Sequence, residues 1–392
     1  MLSYAEVIKL LKRESPQWIK RVQNIPIGDC HGRILAENIK SPEDYPAFAK
    51  SAMDGFAVAE EGHSHYQLIG ILAAGQEQAQ PLIANQSLHV MTGACLPKNT
   101  VKVIRQEYCT VQTDIVTINQ DDHQNIQKRG EDFCKDDLVM NYGQKLNAAH
   151  IGLLAALGIT HVPVYESFKI GIISTGQELV DIDQPTNASQ IRNSNSAMLK
   201  ACASDLNCHV ADYGIVPDDP VILEEQLHSA LEENDLILVT GGASKGKFDY
   251  VKPVCKRIGV EFVFEGVKIR PGKPVSYGSF GTRGVFVLPG SPVAALTCFL
   301  VLIKPFLQSR NEARTIQLNL AENLKPQKSG FTSFVPGRLN AEGQVIPVKF
   351  HGSGHIYALA DAELLIKVSD INSHYRRGQA VDCILLSFNT GT

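Results

Sequence analysis

The sequence lacks the features that mark several specialised classes of protein. Neither sign of charge dominates, because 37 Lys and Arg residues stand against 41 Asp and Glu residues, a net charge of −4 over 392 residues. A general nucleic-acid binder usually carries a basic excess or a basic stripe, so the composition argues against that class. The longest apolar stretch, residues 292–303, is also shorter than the roughly 20 residues that a membrane-spanning helix needs.

Paired cysteines are missing as well. The nine cysteines are scattered without a C-x-x-C pair, and His63 with His65 is the only close histidine pair. An odd and unpatterned number of cysteines indicates reduced thiols rather than a disulfide framework or a zinc site. The first 18 residues have the spacing of an amphipathic helix rather than of a secretory signal. Together these features predict a cytoplasmic protein.

The sequence does contain ample material for packed cores, since 44% of its residues are hydrophobic and 20% are charged. A chain of this length is long for one core and predicts two to four domains. The pattern changes near residue 168. Before that point, short β-type runs alternate with Gly and Pro breaks around one helical patch at 148–158, which predicts an irregular, strand-rich half.

From residue 168 onward, strand and helix patterns alternate. Predicted strands cover 168–175, 209–216, 235–240, 260–267 and 284–290, and predicted helices cover 196–206, 219–233, 250–258 and 292–307. Such alternation builds a parallel sheet with helices on both faces. Beyond about Arg310 the pattern returns to short strands, at 317–324, 343–350, 363–368 and 380–386, which predicts a small β domain.

The segment DLILVTGGASKGKFDYVKP, residues 235–253, resembles a P-loop at first sight. Gly241–Lys247 satisfies the spacing G-x-x-x-x-G-K, but the next residue is Phe248. A P-loop requires Ser or Thr there, because that hydroxyl holds the magnesium of the nucleotide. The segment is therefore predicted to serve a ligand other than an NTP bound in a P-loop.

Four loops of small residues follow strands in this region, at 174–179, 240–246, 270–274 and 288–292. Glycine lets a backbone approach an anion closely, and N–H groups at a following helix terminus point toward it. Nearby cations that could neutralise phosphate are Lys245, Lys247, Lys268, Arg270 and Lys273. Glycine and proline in any one loop could merely end a strand, but four such loops together favour an anion-binding edge.

A set of motifs, in order along nearly the whole chain, resembles the MoeA family, the molybdopterin molybdenumtransferases that include the E domain of gephyrin. The motifs are SAMDGFAV at 51–58, MTGA at 91–94, RGED at 129–132, STGQEL at 174–179, IRNSNSAML at 191–199, TGGASKGKFDY at 240–250, RPGKP at 270–274 and LPGSP at 288–292. A co-linear set of this length is specific, whereas TGG or PGKP alone would be weak.

The resemblance implies a cytosolic homodimer that inserts molybdate into adenylylated molybdopterin and releases AMP with the help of Mg2+. It also implies four domains. An elongated N-terminal domain would consist of residues 1–44 and 145–167, with an inserted β-rich domain at 45–144. An α/β parallel-sheet molybdopterin-binding domain would follow at 168–309, and a small C-terminal β domain at 310–392.

Site residues are carried over from the family by motif. The implied catalytic acids are Asp54, Asp132, Glu178 and Asp249, of which Asp54 and Asp132 would complete the partner's cleft in the dimer, and the implied Mg2+ ligands are Asp218 and Asp249. The implied substrate-binding residues are Thr92, Thr175, Gly176, Ser194, Asn195, Gly241, Gly242, Ser244, Lys245, Arg270, Pro271, Lys273, Pro289, Gly290 and Ser291.

Several of these residues also have a purely structural interpretation. Asp249 and Asp218 each precede a predicted helix and could be N-caps, and Glu178 could be a solvated residue. The serines and asparagine at 194–196 could likewise cap a helix. His351 and His355 flank a GSG turn and are interpreted as structural or exposed residues rather than metal ligands.

Departures from the family pattern keep three functions open. Lys247 replaces a usual glutamate, Lys245 a usually uncharged residue, and Ser291 a usual asparagine. The favoured function is the molybdenum-inserting transferase. A diverged, non-catalytic pterin-binding or scaffold protein is the first alternative, supported by those three departures. A molybdopterin adenylyltransferase is the second alternative. The domain of that enzyme stands alone, so the additional N- and C-terminal domains of this chain argue against it. The same enzyme is also a candidate partner.

Overall fold

The structure is a computed structural model that describes residues 1–14, 21–76, 80–119, 121–243, 250–308, 313–325, 330–368 and 374–386. The chain divides into two compact units. One is Val22–Tyr165, and the other combines Met1–Arg21 with Glu166–Thr392. None of the described helices has the length and apolar character needed to cross a membrane.

The described helices are α1 (Tyr4–Glu14), α2 (Ala148–Ala156), α3 (Ser194–Ser204), α4 (Pro220–Glu233), α5 (Val251–Arg257), α6 (Pro292–Cys298), α7 (Lys304–Leu307) and α8 (Tyr357–Ala360). A π-helical segment, Phe299–Ile303, joins α6 to α7. Short 3-10 turns occupy Ile27–Asp29 and Gln106–Tyr108.

The described strands fall into two runs along the chain. The first run is β1 (Leu2–Ser3), β2 (Val22–Pro26), β3 (Ile39–Lys40), β4 (Lys50–Ser51), β5 (Gly55–Val58), β6 (His65–Leu72), β7 (Gln86–Val90), β8 (Lys102–Arg105), β9 (Cys109–Gln112), β10 (Ile115–Ile118), β11 (Ile126–Gln127), β12 (Leu138–Met140) and β13 (His161–Tyr165). The second run is β14 (Lys169–Thr175), β15 (Leu179–Val180), β16 (Ile191–Arg192), β17 (His209–Val216), β18 (Leu236–Thr240), β19 (Glu261–Glu265), β20 (Val267–Arg270), β21 (Ser276–Phe280), β22 (Arg283–Leu288), β23 (Ile316–Asn319), β24 (Thr332–Leu339), β25 (Val345–Pro347), β26 (Leu364–Val368) and β27 (Ala380–Leu385).

The unit Val22–Tyr165 is strand-rich, as predicted. Its largest sheet has the order β8-β5-β7-β6-β10-β9, and three further strand pairs join β11 to β4, β12 to β3, and β13 to β2. Helix α2 confirms the helical patch predicted at 148–158. Its buried Leu154 packs with Leu35, Met140 and Val162 in a small core beneath the strand pairs.

The α/β domain of the other unit is built on a six-stranded sheet with the order β17-β14-β18-β22-β21-β19. The first four strands are parallel, as predicted. The last two are not, because β21 pairs with β22 and with β19 in antiparallel fashion. Only Gly281 and Thr282 separate β21 from β22, and so short a connection can close only an antiparallel hairpin.

Alternate residues of the parallel strands face opposite sides of this sheet. On one side, Ile172 and Leu238 pack in the core that also contains Leu199 of α3 and Val293 of α6. On the other side, neighbouring strand residues such as Ile173 pack with Leu227 of α4. The predicted arrangement of helices on both faces is therefore confirmed.

A seven-stranded sheet completes this unit, with the order β1-β20-β24-β26-β27-β23 and with β25 paired to β24. Its longest strand, β24, was not predicted, because Pro336 and Gly337 disguise the strand pattern. The strand predicted over 260–267 is confirmed as β19, although it pairs antiparallel rather than parallel. The chain turns at Gly266, where φ is +79°, so that β19 joins the α/β sheet and β20 joins this one.

Candidate functional site

The carboxyl ends of four neighbouring parallel strands meet at one edge of the α/β sheet. β17, β14, β18 and β22 end at Val216, Thr175, Thr240 and Leu288 respectively. Three of the four predicted loops, at 174–179, 240–246 and 288–292, begin at this edge. An open α/β sheet binds its ligand outside the carboxyl ends of its strands, which makes this edge the candidate site.

Gly241 fixes how closely the central loops approach each other. Its φ is +93°, and a Cβ at this position would lie 2.1 Å from the carbonyl oxygen of Thr175. Its N–H donates to the carbonyl oxygen of Leu288 at 3.2 Å. The turn after β18 therefore lies against both neighbouring strands, and only glycine can adopt its conformation in the space available. Gly242 continues the turn with a φ of +59°.

The adjacent acids Asp218 and Asp219 have different partners. Asp219 is the N-cap of α4, because its carboxylate accepts hydrogen bonds from Val221 N at 2.8 Å and Ile222 N at 3.1 Å. The Oδ1 atom of Asp218 accepts the hydroxyl hydrogen of Thr175. Asp218 is therefore not the helix cap that its sequence position allowed, and its half-buried carboxylate lies at the sheet edge.

Glu178 folds back over the turn that follows β14. A Cβ on Gly176 would lie 2.9 Å from each of its carboxylate oxygens, so glycine is what makes room for them. The Glu178 side chain remains exposed. Thr175, Gly176, Glu178 and Asp218 are thus brought together at the ends of two paired strands.

The N-terminus of α3 reaches the same edge. Its cap is Asn193, whose Oδ1 accepts Ser196 N at 3.3 Å, so neither Ser194 nor Asn195 has the capping role considered for them. Asn195 is buried, and its Nδ2 donates to the carbonyl oxygen of Gly290 at 2.7 Å. This bond ties α3 to the loop containing Pro289, Gly290 and Ser291.

The fourth predicted loop, at 270–274, extends from a different sheet, because it follows β20. A Cβ on Gly272, where φ is +114°, would lie 2.6 Å from Cys298 Sγ, so the loop packs tightly on α6. Pro271 is buried with Gly272, whereas Arg270 and Lys273 are exposed. The two cations are therefore available to solvent or a ligand.

In the unit Val22–Tyr165, Asp54 has a defined setting. Its Oδ1 accepts two hydrogen bonds from Thr92, one from the backbone N–H at 2.6 Å and one from the hydroxyl at 2.7 Å. These backbone and side-chain bonds hold the pKa of Asp54 below its ordinary value. Thr92, which is expected to bind substrate, thus also orients this acid through its hydroxyl.

Asp54 lines a cavity of about 410 Å³ with Met53, Thr92 and residues 105–108. Arg105 lies over the ring of Tyr108, 4.6 Å from its centroid. The buried Asp121 fixes Arg105 by accepting hydrogen bonds from its Nε and Nη2, both at 3.2 Å, and from its backbone N–H at 3.1 Å. Burial alone would raise the pKa of Asp121, but these bonds outweigh burial and lower it.

Arg105 and Asp121 were not predicted as part of any site. Neither stands in a recognisable motif, and Asp121 lies 16 positions beyond its partner. Only the folded sheet reveals the pair.

Asp132 lies elsewhere in the same unit. Its N–H donates to Tyr45 O at 3.1 Å, and its side chain is exposed. β4 and β11 pair antiparallel, with Ser51 opposite Ile126. Asp54 follows β4 and Asp132 follows β11, so each acid lies just beyond one strand of this pair.

Some predicted site residues lie outside the described residues, namely Ser244, Lys245 and Asp249. Within the described ranges, no three His, Cys, Asp or Glu side chains are grouped so that they could hold a metal ion. His351 and His355 stack on each other with ring centroids 5.3 Å apart, and His355 Nδ1 accepts from His351 N at 3.4 Å.

Comparison with known families accounts for almost the whole chain. Residues 2–158 match the MoeA N-terminal region (domains I and II), residues 171–309 match the family described as "Probable molybdopterin binding domain", and residues 317–386 match the MoeA C-terminal region (domain IV). The chain belongs to the MoeA family. The resemblance drawn from the sequence motifs is thereby confirmed.

Individual relatives agree with this assignment. A molybdopterin biosynthesis protein of Methanocaldococcus jannaschii is 34% identical over 387 residues, which cover 94% of this chain and 93% of that protein. The molybdopterin molybdenumtransferase of Haemophilus influenzae is 34% identical over 293 residues, covering 73% of this chain and 72% of the relative. The crystal structure of the molybdopterin biosynthesis MoeA protein from Pyrococcus horikoshii has a TM-score of 0.85 at 28% identity, covering 98% of this chain and 100% of that chain.

Proposed function

We propose that this MoeA-family protein is an enzyme of molybdenum cofactor biosynthesis that inserts molybdate into adenylylated molybdopterin and releases AMP. The observation that carries the proposal is the sheet edge where Gly241, Asp218 and Asn195 hold three loops together, in the part of the chain that matches a molybdopterin-binding family. The names of the Haemophilus influenzae and Staphylococcus relatives support the same reaction.

The reaction brings anions together, since molybdate and the nucleotide pyrophosphate are both negatively charged. Exposed cations on and beside the fourth loop, Lys268, Arg270 and Lys273, would lower that repulsion. Lys245, outside the described residues, would add to them. Backbone N–H groups of the glycine turns would bind phosphate oxygens without adding a mobile charge.

The oxygen donors of the edge suit Mg2+. This ion takes hard oxygen ligands, typically one or two carboxylates with waters and substrate phosphates. Asp218 uses Oδ1 for Thr175 and would offer its other oxygen, with Asp249 as the second proposed ligand. A bound Mg2+ would supply positive charge against the phosphate oxygens. Glu178 and Asp218 would also hold nearby waters and substrate hydroxyls through hydrogen bonds.

We further propose a cytoplasmic homodimer in which Asp54 and Asp132 complete the partner's site. Light scattering should give twice the protomer mass, and a value near 42.8 kDa would contradict the dimer. A molybdopterin adenylyltransferase is the proposed supplier of substrate, testable by co-purification.

The proposed function is tested by supplying the purified protein with adenylyl-molybdopterin, molybdate and Mg2+. Formation of cofactor that activates a molybdenum-free apoenzyme is the expected result. A protein that binds the pterin nucleotide but forms no cofactor would instead be the non-catalytic homologue.

A further inference from the structure

Three buried polar side chains join the sheet edge to the cap of α3. Ser174 and Thr240 are register partners on the paired strands β14 and β18. The Thr240 hydroxyl donates to Ser174 Oγ at 3.1 Å, and the Ser174 hydroxyl donates to Asn193 Oδ1 at 3.1 Å. Thr240 is 1% exposed, Ser174 is 0% exposed and Asn193 is 7% exposed. We call this series of bonds the Thr240–Ser174–Asn193 relay.

Each member of the relay directly precedes a segment of the candidate site. Thr240 precedes the Gly241 turn, Ser174 precedes Thr175 and Gly176, and Asn193 precedes Ser194 and Asn195. All the hydrogen bonds of the relay point toward Asn193, because Asn193 Oδ1 can only accept hydrogen bonds. The same oxygen also accepts a hydrogen bond from Ser196 N. Ser174 is thus the one hydroxyl that both accepts from the sheet and donates to the helix cap.

We propose that the relay is a positioning device: it fixes the position of the glycine turns of the candidate site relative to α3. This role rests on the function proposed above. Removing the middle hydroxyl leaves the buried Thr240 donor without its acceptor, and an unsatisfied buried group drives local rearrangement. The Gly241 turn cannot absorb a shift toward β14, because it already lies against Thr175 O. A displaced turn would weaken substrate binding.

The matched substitutions are Ser174→Ala, Thr240→Val and Thr240→Ser. The first two delete one hydroxyl of the relay with little change of shape, and the third keeps the hydroxyl. Ser333→Ala is the control, because Ser333 is 1% exposed and its hydroxyl has no partner among the described residues. It deletes a buried hydroxyl in the same unit without breaking a hydrogen bond.

Amide hydrogen exchange of the unliganded proteins is the first measurement. Ser174→Ala and Thr240→Val should each accelerate exchange about ten-fold at Gly176, Gly241 and Gly242, the size expected for one lost buried bond. Thr240→Ser and Ser333→Ala should leave these amides as in wild type. Unchanged exchange at the turns, or equal acceleration over the whole unit, would overturn the positioning role.

Steady-state kinetics is the second measurement. Ser174→Ala should raise KM for adenylyl-molybdopterin about ten-fold with kcat nearly unchanged, because binding is weakened equally in ground and transition states. A fall in kcat with unchanged KM would also overturn the role. If wild type forms no cofactor, the proposed function fails, while the exchange measurement still decides the relay.

Discussion

The neighbouring acids Asp218 and Asp219 offer a paired test, because the structure gives them different tasks. Asp219→Ala removes an N-cap that accepts two backbone N–H bonds. Loss of such a cap typically costs about 1 kcal/mol, which corresponds to a fall in Tm of about 2–4 °C in a unit of this size. Asp218→Asn keeps an oxygen acceptor for Thr175 but removes the negative charge, so Tm should change little.

Activity should respond in the opposite order. Losing one preorganised electrostatic contact typically costs ~10²-fold or more in turnover, so Asp218→Asn should slow AMP release by that amount. Asp219→Ala should release AMP at nearly the wild-type rate at 25 °C. Differential scanning fluorimetry and AMP release, measured on both variants at several Mg2+ concentrations, check these expectations. Wild-type AMP release by Asp218→Asn would refute the role of its carboxylate, and equal loss by Asp219→Ala would refute the separation of roles.

Three further predictions concern other parts of the molecule. Thr92→Val removes one of the two hydrogen bonds that lower the pKa of Asp54, so an NMR titration should show this pKa closer to its ordinary value. The stability that Asp54 contributes is present above its ordinary pKa and is lost as pH falls through its pKa in the folded protein. The variant should therefore lose less stability than wild type on acidification. Gly241→Ala should lower Tm far more than Gly281→Ala, because Gly281 also has positive φ but open space around it; equal effects would contradict the close approach to Thr175. Asp121→Asn should lower the urea midpoint more than Lys256→Gln does. Asp121 is buried and paired with Arg105, whereas the ion pair of Lys256 with Glu265 is exposed and should contribute little to stability. Similar midpoints for the two variants would be inconsistent with a structural role for the buried pair.

The sequence predicted the parts of the fold that depend on local periodicity. Strands such as β17 and helices such as α4 lie where their apolar spacing placed them, because each buries one face in the same core. The antiparallel β21 and the strand β24 were missed, since their pairing depends on partners far along the chain. Pro336 and Gly337 also interrupt the pattern that would have revealed β24.

For the candidate site, the motifs identified the loops but not the contacts within them. Asp218 and Asp219 are equivalent by position, and only the distances to Val221 N and Thr175 Oγ1 distinguish the cap from the site acid. The pair Arg105 and Asp121 and the relay through Ser174 depend on register between strands, which a single sequence does not specify. The implied roles of Asp54, Asp132, Glu178 and the substrate-binding residues stay predictions, as does the four-domain division.

The central claim is that molybdenum insertion and AMP release are one coupled reaction of this protein. The most direct test mixes excess purified enzyme with adenylyl-molybdopterin and Mg2+, adds molybdate, and follows AMP and pterin-bound molybdenum in a single turnover. We expect both to rise together in equal amounts, and neither to form when molybdate or enzyme is omitted. AMP release without molybdenum incorporation, or no AMP release at all, would contradict the account.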